Sequence, residues 1–246
     1  MFGILYYMQR WVDTQYMYFV KNIAMLLVIF SLACTVVRDG VQSESCLFTL
    51  LMCCIWSGTF NSISLFYSEE NYVVDDLNKF LSVKVYIISN FVMQLVLCAL
   101  ESLFCTAILK LFYEYGADGL VFDRADTEYY VTFFMILISS DMVAFSVGML
   151  VKNINTAMSV IPAILIVQFL FSGCLFELDS HFEKIACFTS AKWGFSALGT
   201  ISGVRRFMHE PQQLIKCWTT MGGITVLFFL ISGLFLYMRL NYGRRD

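Results

Sequence analysis

The stretch YYVTFFMILISSDMVAFSVGMLVKNINTAMSVIPAILIVQFLFSGCLF, residues 129–176, decides the fold of this chain. It contains two apolar runs, residues 129–151 and 154–176, separated by a short polar turn. Each run meets the length of about 20 residues that a helix needs to cross about 30 Å of hydrocarbon. The runs are continuously apolar rather than alternating, which favours helices over barrel strands. They predict two membrane-spanning helices.

Four further runs of this kind occupy the rest of the chain, at residues 16–37, 45–67, 85–109 and 218–238. The sequence is 59% hydrophobic and 14% charged, whereas globular domains average about half and about a quarter. Charges are gathered into short islands between the runs. We therefore predict an all-α polytopic membrane protein, with residues 1–246 forming a single transmembrane domain of six spans.

The first span could be mistaken for a signal peptide. No basic region precedes a short apolar core, Asp13 and Tyr16 lie just before or at its start, and five more spans follow. These features are typical of a retained span, so we expect the amino terminus to stay attached.

The segment SEENYVVDDLNKFLSVK, residues 68–84, links the second and third spans. Its apolar residues recur at steps of four, three and one, at Val73, Leu77, Phe80 and Leu81. This spacing predicts an amphipathic helix over residues 70–83, lying along the membrane surface. Its polar face is acidic, which argues against anionic lipid as its partner. The segment is either a solvated loop or a docking helix for another protein.

Loop charges give little information on orientation. The 16 basic residues divide equally between the two sides of the membrane. The ends of the spans favour cytoplasmic termini, because Lys152 is the sole charge of a tight turn and basic residues flank the last span. Those flanking residues are Arg239, Arg244 and Arg245.

Three stretches carry a family resemblance: residues 68–91, 145–178 and 189–198. Their matching positions are Leu81, Ser82, Tyr86, Ser89, Gly148, the turn 152–156, Ser172, Gly173, Phe176, Lys192 and Trp193. With this order and spacing the chain resembles a permease of the type-2 exporter family of ABC transporters, close to the transmembrane halves of the G subfamily. The resemblance covers most of the chain.

The resemblance implies that residues 70–83 are the coupling helix, which is pressed into a groove of an ATPase. The implied coupling residues are Glu69, Glu70, Asp75, Asp76 and Lys79. Relatives commonly have a basic or mixed segment, often with Arg where this chain has Asp75, so we expect a basic groove on the partner. The resemblance also implies a protein of the plasma membrane, with this segment and both termini on the cytoplasmic side.

The same resemblance implies a dimer with a second permease, of the same or a homologous chain, on a pair of ABC ATPase subunits. None of the 14 glycines is followed by Lys, so the phosphate-binding loop of a nucleotide-binding domain is not expected. We expect ATP and Mg²⁺ on the partner ATPase and no cofactor on this chain. Export is implied, membrane lipid surrounds the chain, and no nucleic acid partner is expected. The alternative is a six-span receptor or assembly protein without transport activity.

Two ionisable residues fall near the middle of spans, Glu101 and Asp141, with Gln94 on roughly the same face as Glu101. Such residues are costly in lipid and are candidates for a polar lining or a proton-sensitive site. The alternative is a carboxyl that serves helix packing. With the resemblance, the candidate translocation pathway comprises Trp56, Asn61, Ser64, Glu101, Asp141, Phe169 and Phe171.

No metal or catalytic site is predicted. His181 and His209 lie in the outer segment 177–216, where we expect short helices, and their spacing fits no known metal motif. Glu69-Glu70 is similar to the paired glutamates of intramembrane CAAX-type proteases, but the required histidines are absent from neighbouring spans. The nine cysteines are an odd number without paired spacing, although Cys174, Cys187 and Cys217 lie near enough to the outer face for one bridge.

Overall fold

The computed structural model describes residues 2–37, 40–79, 83–151, 154–174 and 180–242. Within these ranges the chain forms helices joined by turns, without a strand, which confirms the all-α prediction. The helices are α1 Phe2–Val36, α2 Glu44–Lys79, α3 Val83–Phe112, α4 Ala125–Leu150, α5 Ile154–Leu170, α6 Ser180–Ala186, α7 Ser190–Ser202 and α8 Pro211–Tyr242.

Each of the six predicted spans overlaps one of the long helices. Among the described residues, four helical stretches are long and apolar enough to cross a membrane: Glu44–Ser62, Ile87–Phe112, Ala125–Leu150 and Pro211–Phe235. The other two predicted spans contain the shorter apolar stretches Val20–Val36 and Ser159–Leu170. The chain is therefore a multi-pass membrane protein, and the number of six spans stays a prediction.

Helix α4 forms the centre of the bundle. Of its apolar stretch 72% is buried inside the molecule, against 28% for that of α8. It packs against α2, α3, α7 and α8. A helix without a distinct polar face, as α4 is, suits a position surrounded by other helices.

Helices α2 and α4 approach each other closely at Gly58. A Cβ atom at this position would lie 2.6 Å from the backbone oxygen of Leu137 and would also contact the hydroxyl of Ser140. Only a residue without a side chain allows the two backbones to come this close, as is common where membrane helices pack.

Helix α2 differs from the expectation for the segment after the second span. Residues 70–79 continue α2, which runs without a break from Glu44 to Lys79. Gly58 is the last Gly or Pro in α2, so the chain beyond it contains no helix breaker. At 1.5 Å per residue the helix is about 54 Å long, well over the roughly 30 Å of hydrocarbon. The described residues 70–79 therefore continue α2 and do not begin a separate helix.

Helix α5 ends earlier than predicted. It stops at Leu170, whereas the apolar run continues to residue 176. Residues 171–174 form turns and bends, with Gly173 in the left-handed region at φ 75°. Glycine reaches this conformation without the steric penalty of a Cβ atom, so it can end the span inside an apolar sequence.

The segment between α5 and α8 contains two short helices, α6 and α7. The indole of Trp193 donates a hydrogen bond to the backbone oxygen of Cys187 at 2.9 Å. The amines of Lys192 and Lys216 lie 5.7 and 5.9 Å from the centre of the same ring, within cation–π range. Trp193 thus connects α7 to the turn before it and to the start of α8.

Candidate functional site: a buried carboxyl cluster

Glu101 lies in the middle of α3 with its carboxyl group buried against α2. The side-chain amide of Asn61 donates to both carboxyl oxygens, at 2.9 Å to Oε1 and 2.8 Å to Oε2. The hydroxyl of Ser57 donates to Oε1 over a longer distance of 3.4 Å. Ser57 and Asn61 are one helical turn apart on α2, which places both donors on the same face. Glu101 therefore receives its hydrogen bonds from a single neighbouring helix.

Asp141 lies in α4 and is also fully buried. The hydroxyl of Ser62 on α2 is 2.5 Å from Asp141 Oδ1 and 2.9 Å from the backbone oxygen of the same residue. Asp141 Oδ2 is buried and accepts no hydrogen bond from any described residue. Because Asn61 and Ser62 are adjacent in α2, the two acids that they contact lie near each other. Helix α2 thus contacts both, through Asn61 on one side and Ser62 on the other.

We call Ser57, Asn61, Ser62, Glu101 and Asp141 the carboxyl cluster. The ion pairs formed among the described residues involve neither of its acids. Burying an unpaired carboxylate in a low-dielectric interior costs far more than its hydroxyl and amide partners return. The arrangement can therefore hold a proton at the centre of the bundle.

The predicted pathway residues separate into two groups. Asn61, Glu101 and Asp141 converge in the carboxyl cluster, whereas the aromatic candidates lie elsewhere. Trp56 is 48% exposed and stacks on Phe60 with ring centres 5.9 Å apart. Ser64 belongs to α2, but its side chain lies outside the described part of the structure.

The two aromatic candidates at the end of α5 contact different partners. Phe169 packs edge to face against Phe48 of α2 at 5.1 Å, which holds α5 against α2. Phe171 follows the end of α5, and its ring centre is 6.4 Å from that of Phe182 on α6. Neither ring is part of the carboxyl cluster.

The predicted coupling residues all fall in the last part of α2. Their backbone is helical, and their side chains lie outside the described part of the structure. These residues are Glu69, Glu70, Asp75, Asp76 and Lys79. Their contacts therefore stay a prediction.

No metal site is formed by the described residues, since no group of three or more His, Cys, Asp or Glu side chains there could hold an ion. His209 contacts the backbone oxygen of Thr200 through Nδ1 at 2.7 Å, and His181 is exposed on α6. All nine cysteines are free thiols, so Cys174, Cys187 and Cys217 form no bridge in this structure.

Sequence reasoning missed a second group of acids, at the start of α4. Glu128 is fully buried, and its Oε1 accepts hydrogen bonds from the backbone amides of Val121 and of Phe122, the latter at 3.1 Å. Asp126 accepts from Lys110, from Arg124 at 3.1 Å and from the Tyr115 hydroxyl at 2.8 Å. We call Asp126 and Glu128 with their partners the loop clamp.

Two observations characterise the loop clamp further. Burial, and next its hydrogen bond to Asp126, raise the pKa of Tyr115, so this hydroxyl stays a donor at neutral pH. A signal in the sequence was available, because acidic residues are favoured in the first turn of a helix, where they face its positive end. Reading Asp126 and Glu128 in this way moves the start of α4 to Ala125, where the structure has it.

The model of the ABC-2 type transporter family matches residues 3–198 of this sequence. The chain belongs to the ABC-2 type transporter family. The match spans α1 to α6 and most of α7, so it includes every residue of the carboxyl cluster and of the loop clamp. No curated protein sequence matches the chain. The family identifies the chain as a permease component of an ABC transporter, a transport subunit that is not itself catalytic.

Proposed function

We propose that the chain is the permease subunit of an ATP-driven exporter of the G-subfamily type, working as a dimer with a second permease and with two separate ATPase subunits. The family match over residues 3–198 carries this proposal, since ABC-2 permeases work with ATPase partners. The orientation that goes with it has both termini in the cytoplasm, and the membrane is the plasma membrane. ATP and Mg²⁺ belong to the partner.

The proposed docking site on this chain is the end of α2. This helix extends about 16 residues beyond the length that crosses the hydrocarbon, which gives it the reach to contact a cytoplasmic subunit. Asp75 and Asp76 add negative charge near its tip, and a basic groove on the ATPase is the complementary surface. Charge complementarity of this kind mainly favours correct pairing.

The proposed substrate route follows α2 and α5. Phe169 and Phe48 hold these two helices together, and Trp56 leaves an aromatic face exposed on α2. Large aromatic side chains suit an apolar or amphiphilic cargo because they bury a large area on contact. The carboxyl cluster lies on the other side of α2, between α3 and α4.

The test of the proposed function is purification of the tagged chain from its native membrane in mild detergent, followed by mass spectrometry. We expect an ABC ATPase in near one-to-one ratio with the permease. A preparation without ATPase, from a protocol that retains a known ABC complex, contradicts the proposal and favours the receptor or assembly protein.

The docking site is tested by reversing charge with Asp75→Lys and Asp76→Lys together. We expect the ATPase to be lost from the purified complex while membrane insertion is unchanged. The matched control is Glu114→Lys with Asp118→Lys, two exposed acids in the connection between α3 and α4, at the opposite end of α3. Unchanged ATPase recovery in the α2 variant, or equal loss in both variants, removes the docking assignment.

A further inference from the structure

The two acids of the carboxyl cluster are bonded unequally. Glu101 accepts from the Asn61 amide at both oxygens and from Ser57 at one, and hydrogen bonds of this kind favour an ionised carboxylate. Asp141 has only Ser62 near Oδ1, and its Oδ2 has no partner among the described residues. The environment therefore distinguishes the two acids, although both are fully buried.

The contacts of Ser62 indicate where a proton lies. Its hydroxyl has one hydrogen, yet the oxygen is within bonding distance of two acceptors, the carbonyl and Oδ1 of Asp141. A serine oxygen can also accept a hydrogen bond. If Asp141 carries the proton, its carboxyl O–H donates to Ser62, and Ser62 donates to the carbonyl, so both short contacts become hydrogen bonds.

The carboxyl cluster is surrounded by cysteines and contains no basic partner among the described residues. The titratable groups that interact with Glu101 are Cys54 of α2, Cys98 and Cys105 of α3, and Asp141 of α4. Cys98 also interacts with Asp141. No described Lys, Arg or His neutralises either acid. Both carboxyl groups are fully buried and contact adjacent residues of α2, so ionising both costs more than ionising one.

A further unsatisfied side chain extends the polar surface along α3. Gln94 is 1% exposed, and neither of its amide atoms has a hydrogen-bond partner among the described residues. It lies two turns before Glu101 on the same face of α3, about 10 Å along the axis at 1.5 Å per residue. Buried amides without partners are rare in proteins. Gln94 therefore leaves a buried donor and a buried acceptor unpaired among the described residues, on the face of α3 that carries Glu101.

We propose that Glu101 and Asp141 form a proton-binding site inside the bundle, in which the pair holds one proton and Asp141 carries it when Ser62 is in contact. Uptake adds one proton to the Asp141 carboxylate, and release returns it to water, with no other bond changed. The site is independent of nucleotide and of the ATPase, so it can be present even if the proposed transport partners are not.

The experiment is infrared spectroscopy of the full chain in lipid nanodiscs, at neutral pH, in H₂O and D₂O. We expect an absorption of protonated carboxylic acid that shifts in D₂O, and that shifts again when aspartate, but not glutamate, is labelled with ¹³C. This labelling requires no substitution, so it tests the assignment even if a variant fails to fold. A missing absorption, or one that responds to labelled glutamate instead, overturns the proposal.

Variants then locate the proton. Asp141→Asn is expected to lose the absorption, Glu101→Gln to retain it, and the control Glu128→Gln, in the loop clamp, to leave it unchanged. Retention in Asp141→Asn overturns the assignment. A last control exchanges the salt of an organic cation for a sodium salt at constant pH. We expect the carboxylic acid absorption to stay unchanged, and loss of this absorption in sodium would overturn the proposal and identify a sodium site instead.

Discussion

Acidic side chains occur at two depths in this permease, in the loop clamp at the end of the bundle and in the carboxyl cluster at its centre. In the loop clamp Asp126 is paired with two basic side chains, and Glu128 accepts from two backbone amides. In the carboxyl cluster Glu101 and Asp141 have only hydroxyl and amide partners. In the loop clamp Asp126 is thus compensated by cations and Glu128 by backbone amides, whereas the two acids of the carboxyl cluster have neither among the described residues.

This difference separates a structural use of acids from a switchable one. An acid paired with cations and backbone amides holds the loop that it contacts in place. An acid in an apolar interior without a cation can change its charge when its surroundings open to water. The following substitutions are ordered from the largest expected effect to the smallest.

Glu128→Ala should give the largest loss. It removes the acceptor of two backbone amides and leaves the Val121 and Phe122 groups unsatisfied, which we expect to cost about 3 kcal/mol of local stability. Hydrogen exchange at these two amides is the direct measurement. The control is Glu128→Gln, which keeps an acceptor and should lose less. Equal exchange in wild type and Glu128→Ala contradicts the role of the loop clamp.

Gly58→Ala should separate α2 from α4 next to the carboxyl cluster. The new methyl group would meet the backbone oxygen of Leu137, which cannot rotate away, and overpacking of this kind costs about 2 kcal/mol. The unfolding midpoint in detergent is the measurement. Gly222→Ala is the matched control because its Cβ has no atom within 4 Å. A similar midpoint for the two variants argues against close packing at Gly58.

Asn61→Leu removes the amide that donates to both oxygens of Glu101 and should lower stability by about 1 to 2 kcal/mol, because a buried acceptor is left unsatisfied. Adding Glu101→Leu to this variant should recover part of the loss, since both polar partners are then replaced. A double-mutant cycle measures the coupling between them. Strictly additive losses mean that the hydrogen bonds contribute no coupling energy.

Asp126→Asn should have the smallest effect. Its basic partners Lys110 and Arg124 are 57% and 70% exposed, and pairs of this kind contribute less than about 1 kcal/mol. We expect the difference from wild type to decrease further at high salt, measured as the unfolding midpoint. If Asp126→Asn lowers the stability more than Asn61→Leu does, the exposed ion pairs of the loop clamp contribute more than the buried hydrogen bonds of the carboxyl cluster, which contradicts this prediction.

Much of the fold follows from apolar length alone. Runs of about 20 residues predict helices wherever they occur, and each predicted span overlaps a long helix. The predicted helix ends were less accurate. Apolar length alone gives no information on the backbone conformation of Gly173, which follows the end of α5, or on the absence of Gly and Pro after Gly58, where α2 continues. The start of α4 is the instructive case, since Asp126 and Glu128 extend the helix beyond its apolar run.

Of the five residues in the carboxyl cluster, the sequence predicted Asn61, Glu101 and Asp141, but not Ser57 and Ser62 and not the contacts among them. Costly charges in lipid identified Glu101 and Asp141, and this argument needs no structure. Their hydrogen-bond partners depend on how α2 is rotated about its axis between α3 and α4. This rotation cannot be predicted from the sequence of one helix alone. Sequence could therefore select Asn61 as a polar residue of α2, but not show that it bonds Glu101 while Ser62 contacts Asp141.

The unbroken length of α2 has a mechanical consequence. Asn61 and Ser62 lie on the same rod as Asp75 and Asp76, with no hinge residue between them, about 20 Å apart along the axis. Displacement of the end of a continuous helix is transmitted along its length as a rigid-body tilt or rotation, because the helix has no hinge at which it could bend. With an ATPase docked at that end, as proposed, motion of the helix end would shift Asn61 and Ser62 together, and with them the hydrogen bonds to both acids. The close contact between α2 and α4 at Gly58 would act as the pivot.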